Sequence, residues 1–597
     1  MPLASLTTND LGYTAGEVRD KIRQYQTRWA QLYSERSSFD AHWQELARNL
    51  SPRRTRFVTS DTNKGDRRHK DIIDSTGLFA VRTLKSGLHA GLTSPARPWM
   101  KLATPDPDLN EREDVKLWLH TVTGRMLTLF LRSNLYNALP MVYGDMGTFG
   151  TAAMSVLQDE KDGMRCQVHP LGSYVVQVNR RGLVSTFIRQ YTMTVEQMVE
   201  EFGGVAPYLK ARKGAGGVDW SVFSTRVKTA WDRGNYDQRV EVAWVVEPNR
   251  EQEEDSLDAW RSEPHYSCHF ELGTQEREQM GTRMLRQSGF SEFPVLCPRW
   301  DTTSTEDSYG TECPGMIALG DINALQTMAK RKAQAVAKMV SPPLSGPSSL
   351  RTQNPSSLPG HITYTDVRDG MRGLAPIYEV KPDLRDFKED IQDTRFLIER
   401  AFFVDLFLML ARADRFRGAQ PITAREVDER HEEKLLALGP VLERTNDELL
   451  DPMVDRTYSL LEQLGGVPPP PPELQGSELK VEYISLMAQA QKLVGIVATD
   501  RFLGSLVPYV EVFPSIRYKI NAQQAVDIYA DQLGVEPGLV RPDKEANELE
   551  AQDRQAAAAA QQSAQVAQAS QAIRNLGQTP TGDGQTALSE LQRDIEG

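Results

Sequence analysis

One long helical pattern with a break in its middle limits what this chain can fold into. Residues 421–464 read PITAREVDERHEEKLLALGPVLERTNDELLDPMVDRTYSLLEQL. Thr423 and Glu426 stand at the spacing of a capping box, in which two side chains satisfy backbone N–H groups at a helix start. The pair Gly439-Pro440 predicts a kink, because proline lacks an N–H and clashes with the preceding turn.

The segments before this helix give it a context. Residues 401–410, AFFVDLFLML, end an apolar helix that begins near Pro382, and an arginine-dotted loop, ARADRFRGAQ, follows at 411–420. Upstream, a Pro/Ser/Gly-rich insertion at 341–380 separates this helix from another at 316–340. The order helix, insertion, helix, basic loop, kinked helix is more typical of an architectural component than of an active site.

The first 300 residues combine helices with strands. Apolar residues three to four apart predict helices at 15–50, 74–93, 111–131 and 134–150. From about residue 152 the pattern changes to strands that are separated by Gly163, Gly172 and Gly182. The predicted fold class is therefore α+β, and 597 residues are enough for several domains.

The C-terminal part predicts a different architecture. Residues 478–540 suggest a small helical domain, and the Ala/Gln-rich segment 541–576 favours a long helix. Such a helix buries little alone, so we expect it to pack against copies of itself; the alternative is a loose tail. The composition of the last 20 or so residues predicts disorder.

The net charge argues against tight wrapping of nucleic acid. The chain carries a formal charge of −12, whereas tight binding to DNA requires many contacts from lysine and arginine to phosphates. A basic loop at 53–70 is an exception, and it is either a solvated surface loop or a contact for DNA or an acidic partner. The charge does not exclude DNA that slides past a repelling wall.

Cysteines and apolar runs indicate a chain of the cytosol. The cysteines Cys166, Cys268, Cys297 and Cys313 fit no zinc pattern, and we expect them to be reduced and mostly buried. The first ten residues lack the features of a signal peptide. The apolar run 401–410 is about half a membrane span, so no membrane insertion is expected.

Motifs of enzymatic chemistry are missing from the sequence. It contains no phosphate-binding G-x-x-x-x-G-K-[ST] loop, no G-x-S-x-G elbow and no H-E-x-x-H helix. We therefore predict no catalytic residue, no cofactor-binding residue and no metal ligand. A metal-dependent nuclease stays open as an alternative, because its carboxylates need not share a motif.

Three segments carry a resemblance to a known family. They are SYGTECPGMIALGDINALQTMAKRKAQAVAKMVSPPL at 308–344, ITAREVDERHEEKLLALGPVLERTNDELLDPMVDRTYSLL at 422–461, and HWQELARNLSPRR at 42–54 with DSTG at 74–77. Together with the order of the helices, they resemble phage portal proteins of the podovirus head-to-tail connector type. The resemblance covers most of residues 15–465 and is weak beyond them.

The resemblance implies an assembly at one vertex of a viral capsid. Such proteins form a homo-oligomeric ring, usually a 12-mer, through which double-stranded DNA is packaged by a separate terminase and later ejected. The implied partners are terminase, the major capsid protein, scaffold and tail or adaptor proteins. The implied location is the virion, with the host cytoplasm during assembly.

The same resemblance suggests an elongated protomer with named parts. These parts are an α+β wing region at 1–307, a first stem helix at 308–340, a clip at 341–381, a second stem helix at 382–410, a tunnel loop at 411–421, a long kinked wing helix at 422–466, a crown at 467–540, a barrel-type helix at 541–576 and a disordered tail at 577–597.

Basic residues near the implied channel are the candidate contacts with DNA. In the tunnel loop they are Arg412, Arg415 and Arg417, and in the first stem helix they are Lys330, Arg331 and Lys338. The stem residues can instead form salt bridges between subunits or stay solvated. The loop arginines can instead pair with Asp414 or with acidic residues of a neighbour.

Two other functions are alternatives to a portal. The first is a metal-dependent enzyme that processes nucleic acid in the packaging machinery. Basic loops among many carboxylates suggest it. The second is another structural virion protein, such as an adaptor or core protein. The Ala/Gln helix suggests it.

Overall fold

The structure is a computed structural model of the chain. It describes residues 15–57, 65–66, 72–110, 112–203, 218–253, 259–273, 284–340, 344–345, 375–376, 384–412, 438–474, 479–484, 526, 543–578, 580–581 and 585–586. The chain forms two compact units, Met1–Asp106 with Glu113–Ala488 and Pro107–Arg112 with Gln489–Gly597.

The helices agree closely with the sequence patterns in the first half of the chain. They are α1 (Ala15–Leu50), α2 (Thr76–Leu92), α3 (Pro107–Asn110), α4 (Glu113–Arg132), α5 (Leu135–Phe149), α6 (Val195–Phe202), α7 (Thr225–Asp232), α8 (Ala259–Ser262), α9 (Pro314–Val340), α10 (Leu384–Ala401), α11 (Val404–Arg412), α12 (Asp451–Gln463) and α13 (Asp543–Gln578). The four helices predicted before residue 150 are confirmed as α1, α2, α4 and α5.

The strands form small antiparallel sheets. They are β1 (Met100–Ala103), β2 (Met154–Asp159), β3 (Gly163–Val168), β4 (Tyr174–Val178), β5 (Val184–Thr194), β6 (Arg239–Pro248), β7 (His265–Glu271), β8 (Arg286–Phe290), β9 (Val295–Leu296), β10 (Leu344–Ser345), β11 (Ala375–Pro376), β12 (Lys480–Tyr483), β13 (Pro580–Thr581) and β14 (Gln585–Thr586). The α+β class is confirmed in this coarse sense.

A five-stranded sheet in the order β4-β5-β6-β7-β8 organises the first unit. Along α1, Val18, Tyr25 and Leu32 recur every seven residues, which places them on one face of the helix. This face packs on sheet residues that include Val175 and Val245. Burial of these apolar side chains stabilises the pair of layers.

Two short helices cover the opposite face of the same sheet. Val240 and Val242 alternate with the residues that face α1, as the two-residue period of a strand requires. They pack against α6 and α7. A capping box starts α6, since the side chains of Thr194 and Gln197 each accept a hydrogen bond from the backbone N–H of the other.

A smaller core joins α4 and α5 to a three-stranded sheet in the order β3-β2-β9. Gly163 and Gly172 have φ angles of 84° and 92°, which fits their predicted place in turns. The strand β12 pairs with β1, although the sequence pattern predicts helices from residue 478 onward. That prediction is wrong for Lys480–Tyr483.

The helices α9 and α10 pack against each other and form what we term the stem hairpin. All buried residues of α9 lie between Pro314 and Leu325, so its last fifteen residues are exposed or only partly buried. Between the two helices the structure describes only the short pair β10-β11. Most of the insertion 341–381 lies outside the described residues.

The second helix of the hairpin differs from its prediction. The sequence favours one helix over 382–410, but the structure ends α10 at Ala401 and starts α11 at Val404. Phe403, between them, has a φ of 54°. A left-handed conformation costs a residue with a side chain about 1–2 kcal/mol, so surrounding contacts must hold it.

The described part of the long wing helix runs over residues 438–463 and contains one wide turn. Over Asn446–Leu450 the helix is of the π type, and the N–H of Asp451 donates to the carbonyl of Asn446, five residues back. Pro452 follows at once. Because Pro452 would crowd the carbonyl four residues before it, a wider turn relieves the helix here.

The pair Asp451-Pro452 thus coincides with a change of helix type. The capping box at Thr423 and Glu426 and the segment before Gly439-Pro440 lie outside the described residues, so the predicted kink there stays a prediction.

The second unit is dominated by α13. This 36-residue helix confirms the helix predicted over 541–576, and every described side chain from Asn547 onward is exposed. Beyond it, β13 and β14 form a short antiparallel pair, within the segment for which the sequence predicted disorder.

Candidate nucleic-acid interface and its anchoring site

The three stem candidates lie together on the exposed half of α9. Lys330, Arg331 and Lys338 are all exposed. Arg331 and Lys338 are seven residues apart, which places them on one face two turns apart. Within the described residues none of the three forms a salt bridge, so their charges are available to an outside anion.

The loop candidates fall largely outside the described residues. Arg412 is the last residue of α11, whose backbone alone is described there. Arg415 and Arg417 lie outside, as does Asp414, their predicted alternative partner. Their role as DNA contacts therefore stays a prediction.

A buried carboxylate fixes the stem hairpin to the start of α2. Asp74 is 8% exposed, and one of its oxygens accepts bonds from the N–H and the hydroxyl of Thr76 at 2.9 and 2.6 Å. The other oxygen accepts two bonds from the Arg395 guanidinium, on α10, at 3.1 and 2.7 Å. Arg395 thereby ties α10 to the segment that precedes α2.

The first stem helix reaches the same residue through its backbone. The side-chain amide of Gln326, on α9, donates to the carbonyl of Asp74 at 2.7 Å. Its oxygen accepts the N–H groups of Ile73 and Asp74 at 2.8 and 3.0 Å. Asp74, Gln326 and Arg395 form what we term the stem clamp.

Electrostatics keep the clamp carboxylate charged. Burial raises the pKa of Asp74, but the hydrogen bonds from Thr76 and Arg395 outweigh burial and bring the pKa below its ordinary value. At neutral pH the clamp is therefore an ion pair. A second polar contact reinforces it, because Asn323 on α9 bonds Glu45 and Asn49 on α1.

The sequence singled out Asp74 of the stem clamp but not its role in holding the two helices of the stem hairpin. Asp74 stood in the DSTG segment that carried the resemblance, and an Asp two residues before a Thr is a local turn signal. Gln326 and Arg395 gave no signal, because each is one of many polar residues on a helix and lies more than 250 residues from Asp74 in the chain.

Arg54, in the predicted basic loop, is partly buried and paired with a carboxylate of the core. Its guanidinium donates to both oxygens of Asp145, at 2.7 to 3.0 Å, and Asp145 is 3% exposed. Burial raises the pKa of Asp145, and the positive charge of Arg54 opposes that rise. A carboxylate inside the core requires such a partner, and the sequence does not show that α5 supplies one.

A second buried ion pair anchors the wing helix. The Arg299 guanidinium, 5% exposed as a residue, donates to both oxygens of Glu448 at 2.6 to 3.2 Å. It also donates to the carbonyls of Asp307 and Gly182. Since Glu448 lies within the π turn, this pair holds the helix where its geometry changes.

An acidic cleft of about 450 Å³ runs along the same helix. Glu443, Asp447, Asp451 and Asp455 line it at intervals of four residues, opposite Tyr483. Partial burial and the neighbouring Asp451 and Glu292 raise the pKa of Asp455 to about 6. Asp451 also has a raised pKa, although the Tyr483 hydroxyl donates to it.

The described part of the chain lacks the features of a metal site and of a membrane span. There, no group of three or more His, Cys, Asp or Glu side chains is arranged to hold a metal ion. No described helix is long and apolar enough to cross a membrane. The four cysteines are buried and unpaired, as predicted.

Comparison with known proteins identifies the family. Residues 23–540 match the model of the family described as bacteriophage head to tail connecting protein. The chain is 43% identical to the portal protein of Salmonella phage epsilon15 over 93% of its length and 95% of that protein. It is 40% identical to the probable portal protein of Bordetella phage BPP-1 over 96% and 98%. The resemblance drawn from three segments is thereby confirmed, and the chain belongs to the family of bacteriophage head-to-tail connecting proteins.

Proposed function

We propose that the chain is a phage portal protein, which acts as a conduit for DNA during packaging and ejection. The observation that carries this proposal is the similarity, at 40 to 43% identity over more than nine-tenths of the chain, to two proteins that are named portal or probable portal proteins. Terminase, major capsid protein, scaffold and tail or adaptor proteins are the proposed partners. The proposed location is the portal vertex of the virion, with assembly in the host cytoplasm.

Exposed apolar side chains on the stem hairpin support assembly into a ring. On α9 they are Val336, Met339 and Val340, the last 80% exposed. On α10, Phe396 and Leu397 are about half exposed. Soluble monomers rarely leave adjacent apolar groups open to water, so such groups support contacts with other copies. We propose the twelve copies that are usual for portals.

Charge supports a channel that repels DNA except at a few points. Twelve copies would carry a formal charge of −144, twelve times the −12 of one chain. A negative wall disfavours adhesion of DNA and favours sliding. Lys330, Arg331 and Lys338 are exposed and form no salt bridge within the described part of the chain, which supports transient contacts with phosphates, and the loop arginines are proposed as further contacts.

The parts of the protomer follow as proposals. In them α9 and α10 are the stem helices, the segment 341–381 is the clip, the loop 411–421 faces the channel, the helix that ends at Gln463 is the wing helix, the region to residue 540 is the crown, and α13 belongs to a barrel. We also propose that the role is structural, without catalysis.

Electron microscopy of the purified chain tests the portal proposal. Class averages should show closed rings, with twelve-fold symmetry the expected order. Averages that contain only monomers and dimers would contradict the proposal. Incubation of the same preparation with DNA and Mg²⁺ should leave the DNA intact, and cleavage that EDTA abolishes would favour an enzyme instead.

A further inference from the structure

The end of the second stem helix breaks where the sequence offers no reason for a break. The segment AFFVDLF at 401–407 contains neither glycine nor proline. Nevertheless Phe403 is left-handed, with a φ of 54°, and among the described residues it is the only non-glycine with a positive φ. The N–H of Phe403 donates to the carbonyl of Arg400, three residues back, and α11 opens with a bond from Phe407 to Phe403.

A glycine on α2 accommodates the broken form. A Cβ atom at Gly87 would lie 2.1 Å from Cδ1 and 2.2 Å from Cγ of Phe407, which is far inside contact distance. Only glycine therefore leaves room for this ring, and we term the contact the Phe407 socket. Phe402 and Leu406 are also buried, at 0 and 1% exposure, so packing holds α11 in its place.

The same residues have an obvious second arrangement. If Phe403 takes an ordinary helical conformation, α10 and α11 become one continuous helix, as the sequence pattern predicts. The strain at Phe403 then disappears, and the N–H groups of Val404 and Leu406 gain carbonyl partners that the first turn of a helix lacks. The cost of this change is loss of the packing in the Phe407 socket.

We propose that Phe403 is a two-state hinge, which the Phe407 socket holds in the broken state. In the straight state α11 leaves α2 and continues the stem helix. Since α11 has nine residues, it would swing as an arm about 13 Å long. If the portal function holds, this movement repositions the loop 411–421 at the channel, so this consequence rests on the proposed function.

Hydrogen exchange on the purified full-length chain tests the hinge. Phe407→Ala empties the socket without a clash, and Gly87→Val fills it. Both should slow exchange of the amides of Val404 and Leu406 by about tenfold or more, because the straight helix bonds them. Gly124→Val is the matched control, because Gly124 is an exposed helical glycine with no atom within 4 Å of its added Cβ. This substitution should leave hydrogen exchange in α11 unchanged.

A double variant separates straightening from damage. Phe403→Gly removes the strain and favours the broken state, so Phe403→Gly with Phe407→Ala should restore the rapid exchange of the amides of Val404 and Leu406. If Phe407→Ala instead speeds exchange across all of α11, the segment has merely unfolded and the hinge is refuted. Unchanged exchange in both socket variants refutes it as well.

Packaging in phage tests the consequence for the channel. Phe403→Gly and Phe407→Ala, which bias the hinge in opposite directions, should each lower the amount of DNA packaged per particle. Exchange that responds while both variants package like the wild type would overturn the coupling of hinge to loop. Failure of the wild-type chain to form rings or support packaging would instead refute the portal function, and the exchange result would stand independently.

Discussion

Two long helices, α1 and α9, differ in how much of their length is buried. The helix α1 is buried at intervals from Val18 to Leu50 against the rest of its own chain. The helix α9 is buried only as far as Leu325, and beyond that point its charged and apolar residues alike face solvent. The region around α1 completes its core within one chain. The exposed part of α9 does not and, in our proposal, is covered only when copies of the chain assemble.

The largest expected effect on stability concerns the core that is completed within one chain. Arg54→Ala leaves Asp145 buried without its cation, and loss of one partner of a buried pair costs about 3–5 kcal/mol. Urea unfolding should therefore show a large loss of stability. Arg48→Ala, at an exposed arginine of α1, is the control and should change stability by less than about 0.5 kcal/mol. Equal effects of the two substitutions would mean that the buried pair is not what stabilises this core.

The stem clamp joins the two regions, and its loss should have an intermediate effect. Asp74→Asn retains the shape but removes the charge that Arg395 faces, which should cost about 1–3 kcal/mol at neutral pH. The pKa of Asp74 is lowered in the folded state. Its contribution is therefore present above the unfolded value near 3.9 and is lost as the pH falls through the folded value.

Unfolding at several pH values measures this dependence. The advantage of the wild type over Asp74→Asn should be constant from pH 7 to 5 and shrink below about pH 4. Asp20→Asn, whose carboxylate is paired only on the surface with Arg23, provides the comparison. An advantage that stays constant down to pH 2 would show that the charge of Asp74 is unimportant.

Neutralising a carboxylate of the acidic cleft should change the stability less than Asp74→Asn does, and in the opposite direction. The pKa of Asp455 is raised to about 6, so its charged form weakens the fold at neutral pH. The wild type gains stability as the pH falls from 7 toward 4, and Asp455→Asn should be more stable than the wild type at pH 7.5. Because Asp455 is solvent-exposed, screening should limit the gain to less than about 1 kcal/mol.

Thermal unfolding at pH 7.5 and pH 4.5 checks the sign. The gain from Asp455→Asn should vanish at the lower pH, where the wild-type carboxyl is protonated. Glu462→Gln, an exposed change on the same helix, should have little effect at either pH. Destabilisation by Asp455→Asn at pH 7.5 would refute the expected repulsion.

The projecting region should show the smallest effect on stability and a separate effect on DNA. Replacement of Lys330, Arg331 and Lys338 by alanine should shift the unfolding free energy by less than about 0.5 kcal/mol per site and leave rings intact. Retention of packaged DNA should fall, as it should when Arg412, Arg415 and Arg417 are replaced. Gln334→Ala, on the same exposed stripe, is the uncharged control. Loss of ring assembly in these variants would assign the residues to contacts between subunits.

Periodicity alone predicted most helices and strands, because burial on one face leaves a regular apolar spacing in the chain. The helices α1, α2, α4 and α5 follow in this way. Contacts between distant segments left no such trace. Gln326 and Arg395 are ordinary polar residues in the sequence, and only the fold brings them to Asp74. Arg54 belongs to a basic run that is typical of a solvated loop. Only the fold pairs it with the buried carboxylate of Asp145 on α5.

The sequence by itself determined the α+β class, the order of the helices, the long Ala/Gln helix and the connector family, since these depend on local periodicity and on three segments that resemble the family. Only the tertiary structure decided where the second stem helix breaks. Local preference favours a continuous helix through Phe403, but the apolar surface buried when Phe407 packs against Gly87 outweighs the strain of one left-handed residue. Energies that arise between segments far apart in sequence can override those that a sequence pattern records.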